Sequence, residues 1–177
     1  IGSTLIDGLL KDGHKVWNMS RSGRPSKRDG LTQLKWDGKH IPDSITGIDA
    51  VVNLAGANIG QRWTDSAKEV ILQSRIDATT ACVEYIKGQA TPPKVFVSAS
   101  GSNYYGNAFN VPKIESDPSG SGFLAEVCKS WEDAAAGSSV RTVLMRIAPV
   151  LSAEDGALAK MMTPFKFFIG GPTGSGT

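Results

Sequence analysis

The sequence predicts an α/β fold in which a parallel sheet carries helices on both faces. Three observations support that expectation. Segments of strand character alternate with helical segments of about ten residues or more, the pattern of parallel strands joined by helical crossovers. The strongest strand, Asp49 to Ala55, is markedly hydrophobic, as a strand covered on both faces has to be. The chain has 177 residues, 40% of them hydrophobic, enough to bury a core when about 150 residues is an ordinary domain.

The elements follow in order. Leu5, Ile6, Leu9 and Leu10 mark a short amphipathic helix, with Lys11 in its last turn and Gly13 as the stop. A strand is expected at Lys15 to Ser20 and, after the Gly/Pro/Ser loop Ser22 to Lys27, another at Leu31 to Trp36. Beyond Asp49 to Ala55, Thr64 caps a long helix that reaches about Lys87 without an internal Gly or Pro. Pro92 and Pro93 lead into a strand at Lys94 to Ala99, and loop chemistry fills Gly101 to Gly120. Ser121 is the expected cap of a helix through Ala136, whose apolar face carries Phe123, Leu124, Val127, Cys128, Trp131 and Ala135. Arg141 to Ile147 reads as the next strand, and Ala157 to Phe168 as a helix kinked or divided by Pro164.

Composition narrows the function classes. Nineteen Lys and Arg against seventeen Asp and Glu leave a formal charge of +2, too small a field to make nucleic acid or an anionic membrane the default partner. No apolar run approaches the roughly 18 residues of a membrane-spanning helix. Cys82 and Cys128 lie in helical segments and not in a paired motif, which argues against a disulfide framework or zinc site and for a reducing compartment. His14 and His40 stand in polar turns without companions at ligand spacing, so no metal site is expected. The chain opens on Ile1 in a helical pattern and ends in a Gly/Ser/Thr stretch, and is read as a piece of a longer protein.

Three segments could carry chemistry. The turn after the first strand begins Ser20 and Arg21. In a dinucleotide-binding sheet an acidic residue there would bind the ribose hydroxyls of NAD, whereas an Arg suits the 2′-phosphate of NADP. A solvated basic loop is the plainer alternative. Ala55 and Gly56 end the hydrophobic strand with small residues, which let backbone approach a ligand or simply enter a turn. Ser98 and Ser100 end the strand from Lys94, followed by Tyr104 and Tyr105 in a Gly-bounded loop. Their hydroxyls could bind a substrate oxygen, or could cap turns and pack under the loop.

Taken in order with Arg62-Trp63-Thr64, Ser74-Arg75-Ile76-Asp77, Phe123-Leu124-Ala125-Glu126, Trp131-Glu132, Gly156 to Met161, Pro164-Phe165 and Gly170-Gly171-Pro172, these segments give a co-linear pattern over nearly the whole chain. In that pattern the chain resembles the atypical, epimerase-like members of the extended short-chain dehydrogenase/reductase superfamily, related to NAD-dependent epimerases and dehydratases. The resemblance implies a Rossmann-type doubly wound sheet that lacks its first, central strand. Residues 1–155 would form an incomplete NADP-binding domain and residues 156–177 the start of a substrate-binding region. It also implies site residues. Gly2 would be the last glycine of the phosphate-binding fingerprint, and Arg21, beside Ser20, would meet the 2′-phosphate. Ala55 and Gly56 would lie against the adenosine and ribose, and Ser98 near the nicotinamide ribose. Ser100 would match the catalytic serine, while Arg146 and Pro149 would flank the nicotinamide.

One departure bears on chemistry. The superfamily's Tyr-x-x-x-Lys pair, which supplies a proton-exchanging phenol and a ribose-holding ammonium, is replaced here by Phe123 and Val127. Tyr104 or Tyr105 could substitute as acid, Tyr105 being the candidate taken, and Lys129 lies nearby in sequence, although none stands at the superfamily's position. The expected function is therefore an NADP(H)-binding, epimerase-like oxidoreductase of a sugar-like or small carbonyl/alcohol substrate. The alternative is a catalytically silent accessory or structural subunit held by protein partners in a larger assembly. Either would be a soluble protein of the cytoplasm or of an organelle matrix or stroma.

Overall fold

The computed structural model describes residues 1–107, 111–154 and 156–171, and divides the chain into two compact units, Ile1–Arg146 and Ile147–Thr177. In the first unit α1 (Gly2–Lys11) leads to β1 (Val16–Ser20), β2 (Leu31–Lys35), β3 (Ala50–Asn53) and the long α2 (Asp65–Gly88). β4 (Val95–Gly101), a 3-10 turn at Ser102–Tyr105, α3 (Phe123–Ala135) and β5 (Arg141–Ile147) follow. Each strand expected from the sequence is present within a residue or two.

The strands form two sheets, one ordered β1-β2 and the other β3-β4-β5. β1 pairs parallel with β2 from Val16 opposite Leu31 to Ser20 opposite Lys35, and β3 pairs parallel with β4 from Ala50 opposite Val95 to Asn53 opposite Ser98. Among the described residues no pairing joins β1 to β3. This is a doubly wound order divided between β1 and β3, as expected for such a sheet without its first strand.

Local chemistry sets the ends of the elements. At the end of α1 the Gly13 N–H donates to Leu10 O and the His14 N–H to Leu9 O, both at 3.0 Å. This glycine-dependent closure requires the left-handed φ of +83° that Gly13 adopts. The Thr64 hydroxyl accepts the Ala67 N–H at 3.2 Å, capping α2 where the sequence places the cap. Thr64→Ala is expected to cost about 1 kcal/mol, read as a lower urea midpoint with unchanged slope. The cap of α3 is a correction: it is Gly122 at φ +98°, not Ser121, and it makes no side-chain bond. The reason is close packing upstream. The Gly120 N–H donates to Tyr104 O at 2.8 Å, and a Cβ on Gly120 would stand 2.2 Å from Tyr105 O. Backbone at 105–106 and 120–121 thus runs in contact, and the chain leaves that contact into the helix through a glycine.

The core lies between α2 and the strands. Phe96 and Ile86 are fully enclosed, with Ala81, Cys82, Val83, Tyr85, Ile41, Ile45 and Ala135 around them. Burial of each large side chain contributes roughly 1.5–3 kcal/mol. Tyr85 resolves its one polar atom by donating to Ile45 O at 2.9 Å, and burial pushes the Cys82 thiol up to about 12.

In the second unit α4 (Gly156–Lys166) carries Pro164 inside a single helix, so the proline neither divides it nor lets it reach Phe168. Phe168 at φ +58° terminates it, with the Phe168 N–H donating to Phe165 O and the Ile169 N–H to Pro164 O. Pro172, which belongs to the family-like pattern, lies outside the described residues. Among the described residues no helix is long and apolar enough to cross a membrane.

Candidate functional site at the strand ends

The carboxyl end of β1 turns sharply. Ser20 Oγ accepts the Gly23 N–H at 3.2 Å, and a Cβ on Gly23 would stand 2.6 Å from Lys35 Cβ, so the turn closes over β2 only because residue 23 is glycine. Arg28 is drawn away into an ion pair with Asp7 of α1. Arg21 is left exposed immediately after the strand, its guanidinium without a hydrogen bond or ion pair to any described residue.

The first turn of α1 comes close to the end of β3. A Cβ on Gly2 would meet Leu54 Cδ1 at 3.8 Å, while Ile1 at the cap position offers no side-chain acceptor. Among the described residues no side chain caps the N–H groups that open the helix. Asn53, 3% exposed, shapes the strand end by donating to Thr79 Oγ1 at 2.9 Å and accepting the Ala55 N–H at 3.0 Å. Ala55 is half-buried and Gly56 exposed. The backbone then runs along α2, with the Ala57 N–H donated to Ser74 Oγ at 3.0 Å and Arg75 Nη1 donating to Ala57 O at 3.2 Å.

At the end of β4 both serines are buried. Ser98 sits opposite Asn53 with no exposed surface, and its hydroxyl donates to Ala99 O at 3.4 Å. Ser100 is 5% exposed and donates to Glu132 Oε1 at 2.6 Å. Glu132, which belongs to the family-like pattern, was not among the expected site residues. Its carboxylate is gripped by Arg146 in two-pronged fashion, Nε to Oε1 at 2.9 Å and Nη2 to Oε2 at 2.8 Å. Arg146 Nη1 also donates to the Tyr105 hydroxyl at 2.7 Å and to Glu115 O at 3.0 Å. The Tyr105 hydroxyl in turn donates to Ile114 O at 3.0 Å. The guanidinium lies 3.5 Å from the centre of the Tyr104 ring. Hydrogen bonding to Glu132 drives the Arg146 pKa above its ordinary value.

Ser100, Tyr105 and Arg146, three of the expected site residues, therefore meet in one network, with Glu132 at its centre. The signal for Glu132 was available: it lies one helical turn beyond Cys128 on the buried face of α3, where a carboxylate has to find a partner.

The two replaced positions are packed into the protein. Val127 is 2% exposed, and Phe123 sets its ring edge-to-face with Trp63 at 5.3 Å between centres. Lys129 donates to Asp133 at 2.6 Å in an exposed pair on the outer side of the helix. Trp131 is core, at 7% exposure. Pro149 belongs to the second unit and is exposed.

Comparison with known proteins adds relatives. Residues 1–161 match the family model of the NAD dependent epimerase/dehydratase family. An epimerase family protein of Arabidopsis thaliana, the chloroplastic SDR39U1 homolog, is 39% identical over 99% of this chain and 53% of its own length. The crystal structure of human epimerase family protein SDR39U1 (isoform 2) with NADPH superposes with a TM-score of 0.82 at 34% identity, over 99% of this chain and 59% of that one. A nucleoside-diphosphate sugar epimerase from Corynebacterium glutamicum is similar at TM-score 0.75 and 32% identity, over 96% of this chain and 35% of that one. The chain spans 53–60% of the length of the curated relatives it matches.

Proposed function

The chain belongs to the NAD-dependent epimerase/dehydratase family, and from that premise we propose that it holds NADP(H) at the ends of β1 and β3 and acts as an oxidoreductase on a sugar-like or small carbonyl/alcohol substrate. The observation that carries the reading is Arg21, an exposed guanidinium without a protein partner, placed directly after β1. A guanidinium there suits a 2′-phosphate, where an acidic residue would repel it. The relative of known structure that was crystallised with NADPH supports the same cofactor.

Gly2 and the open N–H groups of α1 would face the cofactor's diphosphate, next to Ala55 and Gly56. When bound, NADP(H) supplies or accepts a hydride. The protein's own part is to handle a proton and orient an oxygen. With the Ser100 proton donated to Glu132 and the Tyr105 proton to Ile114 O, each oxygen meets a substrate as an acceptor. That arrangement suits an alcohol entering as hydrogen-bond donor with Ser100 orienting it, while in the reducing direction Tyr105, which carries its proton, would give it to the new alkoxide oxygen and regain one from solvent. Arg146 holds the Tyr105 oxygen in position throughout.

The test is reduction of NADP by the full-length protein across a panel of sugar nucleotides and small alcohols, followed by absorbance of the reduced nicotinamide. Ser100→Ala is expected to lower turnover of any accepted substrate by up to roughly tenfold, the worth of one charge-free hydrogen bond in a transition state. An unchanged rate removes Ser100 from the mechanism. The second reading, a silent subunit in a larger assembly, is favoured by the packing of Phe123 and Val127, which leaves α3 without a phenol or an ammonium at those positions. It predicts NADPH binding, or none, with no oxidation or reduction of the cofactor by any panel member.

A further inference from the structure

We infer that Arg75 forms a binding site for an anionic oxygen group, a phosphate or carboxylate, beside the end of β3. Arg75 is half-buried on α2 and has no carboxylate within ion-pairing distance among the described residues. Two observations show how it is held. Nη1 donates to two backbone carbonyls, Ile71 O at 2.8 Å and Ala57 O at 3.2 Å, and the guanidinium lies 5.0 Å from the centre of the Trp131 ring. The chain also makes room for it. A Cβ on Gly56 would stand 2.9 Å from Arg75 Cζ and 3.1 Å from Nη2, so residue 56 has to be small for the guanidinium to lie there.

That placement leaves a charge unanswered. Carbonyls and an aromatic face orient a guanidinium but do not neutralise it, and removing a cation from water without a counter-charge is costly. Burial lowers the Arg75 pKa, and the acidic group acting on it is Cys128, whose own thiol is pushed up by burial and so stays neutral. Nε and Nη2 have no acceptor among the described residues, and neither is fully enclosed. A second donor in the same cluster is also unmatched: Trp131 Nε1 is buried without an acceptor. A pre-oriented, half-buried guanidinium edge with unpaired N–H groups, beside the carboxyl end of a parallel strand, suits an oxyanion. The anionic oxygen can come from the cofactor's diphosphate or from a charged substrate such as a nucleoside-diphosphate sugar.

The test is phenylglyoxal modification of the full-length protein, mapped peptide by peptide, with Arg21 read in the same digest as an internal comparison. Arg75 is expected to react in the free protein, and saturating inorganic pyrophosphate is expected to slow that reaction about tenfold. Protection by NADPH assigns the oxyanion to the cofactor, and protection by UDP-glucose without NADPH assigns it to the substrate. Arg75→Gln, if it keeps the native circular dichroism spectrum, is expected to bind the protecting ligand about tenfold more weakly. The inference is overturned if Arg75 is unreactive in the free protein, if none of the three ligands protects it, or if Arg75→Gln binds with unchanged affinity. It shares the crevice of the proposed function but fails separately: loss of NADPH preference at Arg21 leaves protection of Arg75 by pyrophosphate intact.

Discussion

Glu132→Ala is expected to destabilise the protein by roughly 3–5 kcal/mol, because truncating one partner strands the other as a buried charge. The side chains of Arg146 and Glu132 are 18% and 8% exposed, so solvent cannot replace the lost carboxylate. The variant loses both prongs of the Arg146 grip and the Ser100 bond together, and with them the anchor that joins β4, α3, β5 and the Tyr104–Tyr105 turn. For a chain of this size that loss is about 6–20 °C in melting temperature. Glu132→Gln, which keeps shape and one acceptor, should fall between. The double variant Glu132→Leu/Arg146→Met should recover much of the loss, since it removes both charges at once. Melting curves by circular dichroism decide the matter: a Glu132→Ala variant within about 0.5 kcal/mol of the parent would mean the network is ornamental.

Arg21→Ala should weaken NADPH binding by roughly 10–100-fold while leaving NADH binding nearly unchanged, the worth of a charge-assisted hydrogen bond to the group that distinguishes the two. Because Arg21 is exposed, the preference should also shrink as salt screens it, by most of its value near 1 M ionic strength where the Debye length is about 3 Å. Fluorescence titration of both cofactors with parent and variant reads this directly. Equal affinities in the parent protein would remove Arg21 from cofactor recognition.

How much of this was legible in the sequence depends on how local the cause is. Apolar runs and turn residues placed every strand, and Thr64 named its own role because a cap is a contact within three residues. The Ser121 cap misread a position that long-range packing decides: Gly106 and Gly120 hold two backbones together, and only the resulting path shows why Gly122 opens α3. The same holds at the site. Positions at strand ends follow from topology, so Arg21 could be placed after β1, and Ala55 and Gly56 after β3, from the chain alone. What a hydroxyl bonds to cannot. Ser100 and Tyr105 looked like free groups until Glu132 and Arg146, 32 and 41 residues away in sequence, claimed them. Ser98 shows the limit from the other side, since alternation along β4 does not say which serine is sealed by neighbouring elements. Arg75 and Glu132 carried a usable signal, a charge on the buried face of a helix, which demands a partner. One found it inside the protein and the other did not.

The claim that joins these observations is that NADP(H) lies across the ends of β1 and β3. It is tested most directly by a crystal structure of the full-length protein soaked with NADPH. The account predicts the 2′-phosphate against Arg21 and the diphosphate at the first turn of α1 beside Leu54, with Ala55 and Gly56 along the adenosine side. Cofactor density elsewhere on the molecule, or no density at saturating NADPH, would contradict it.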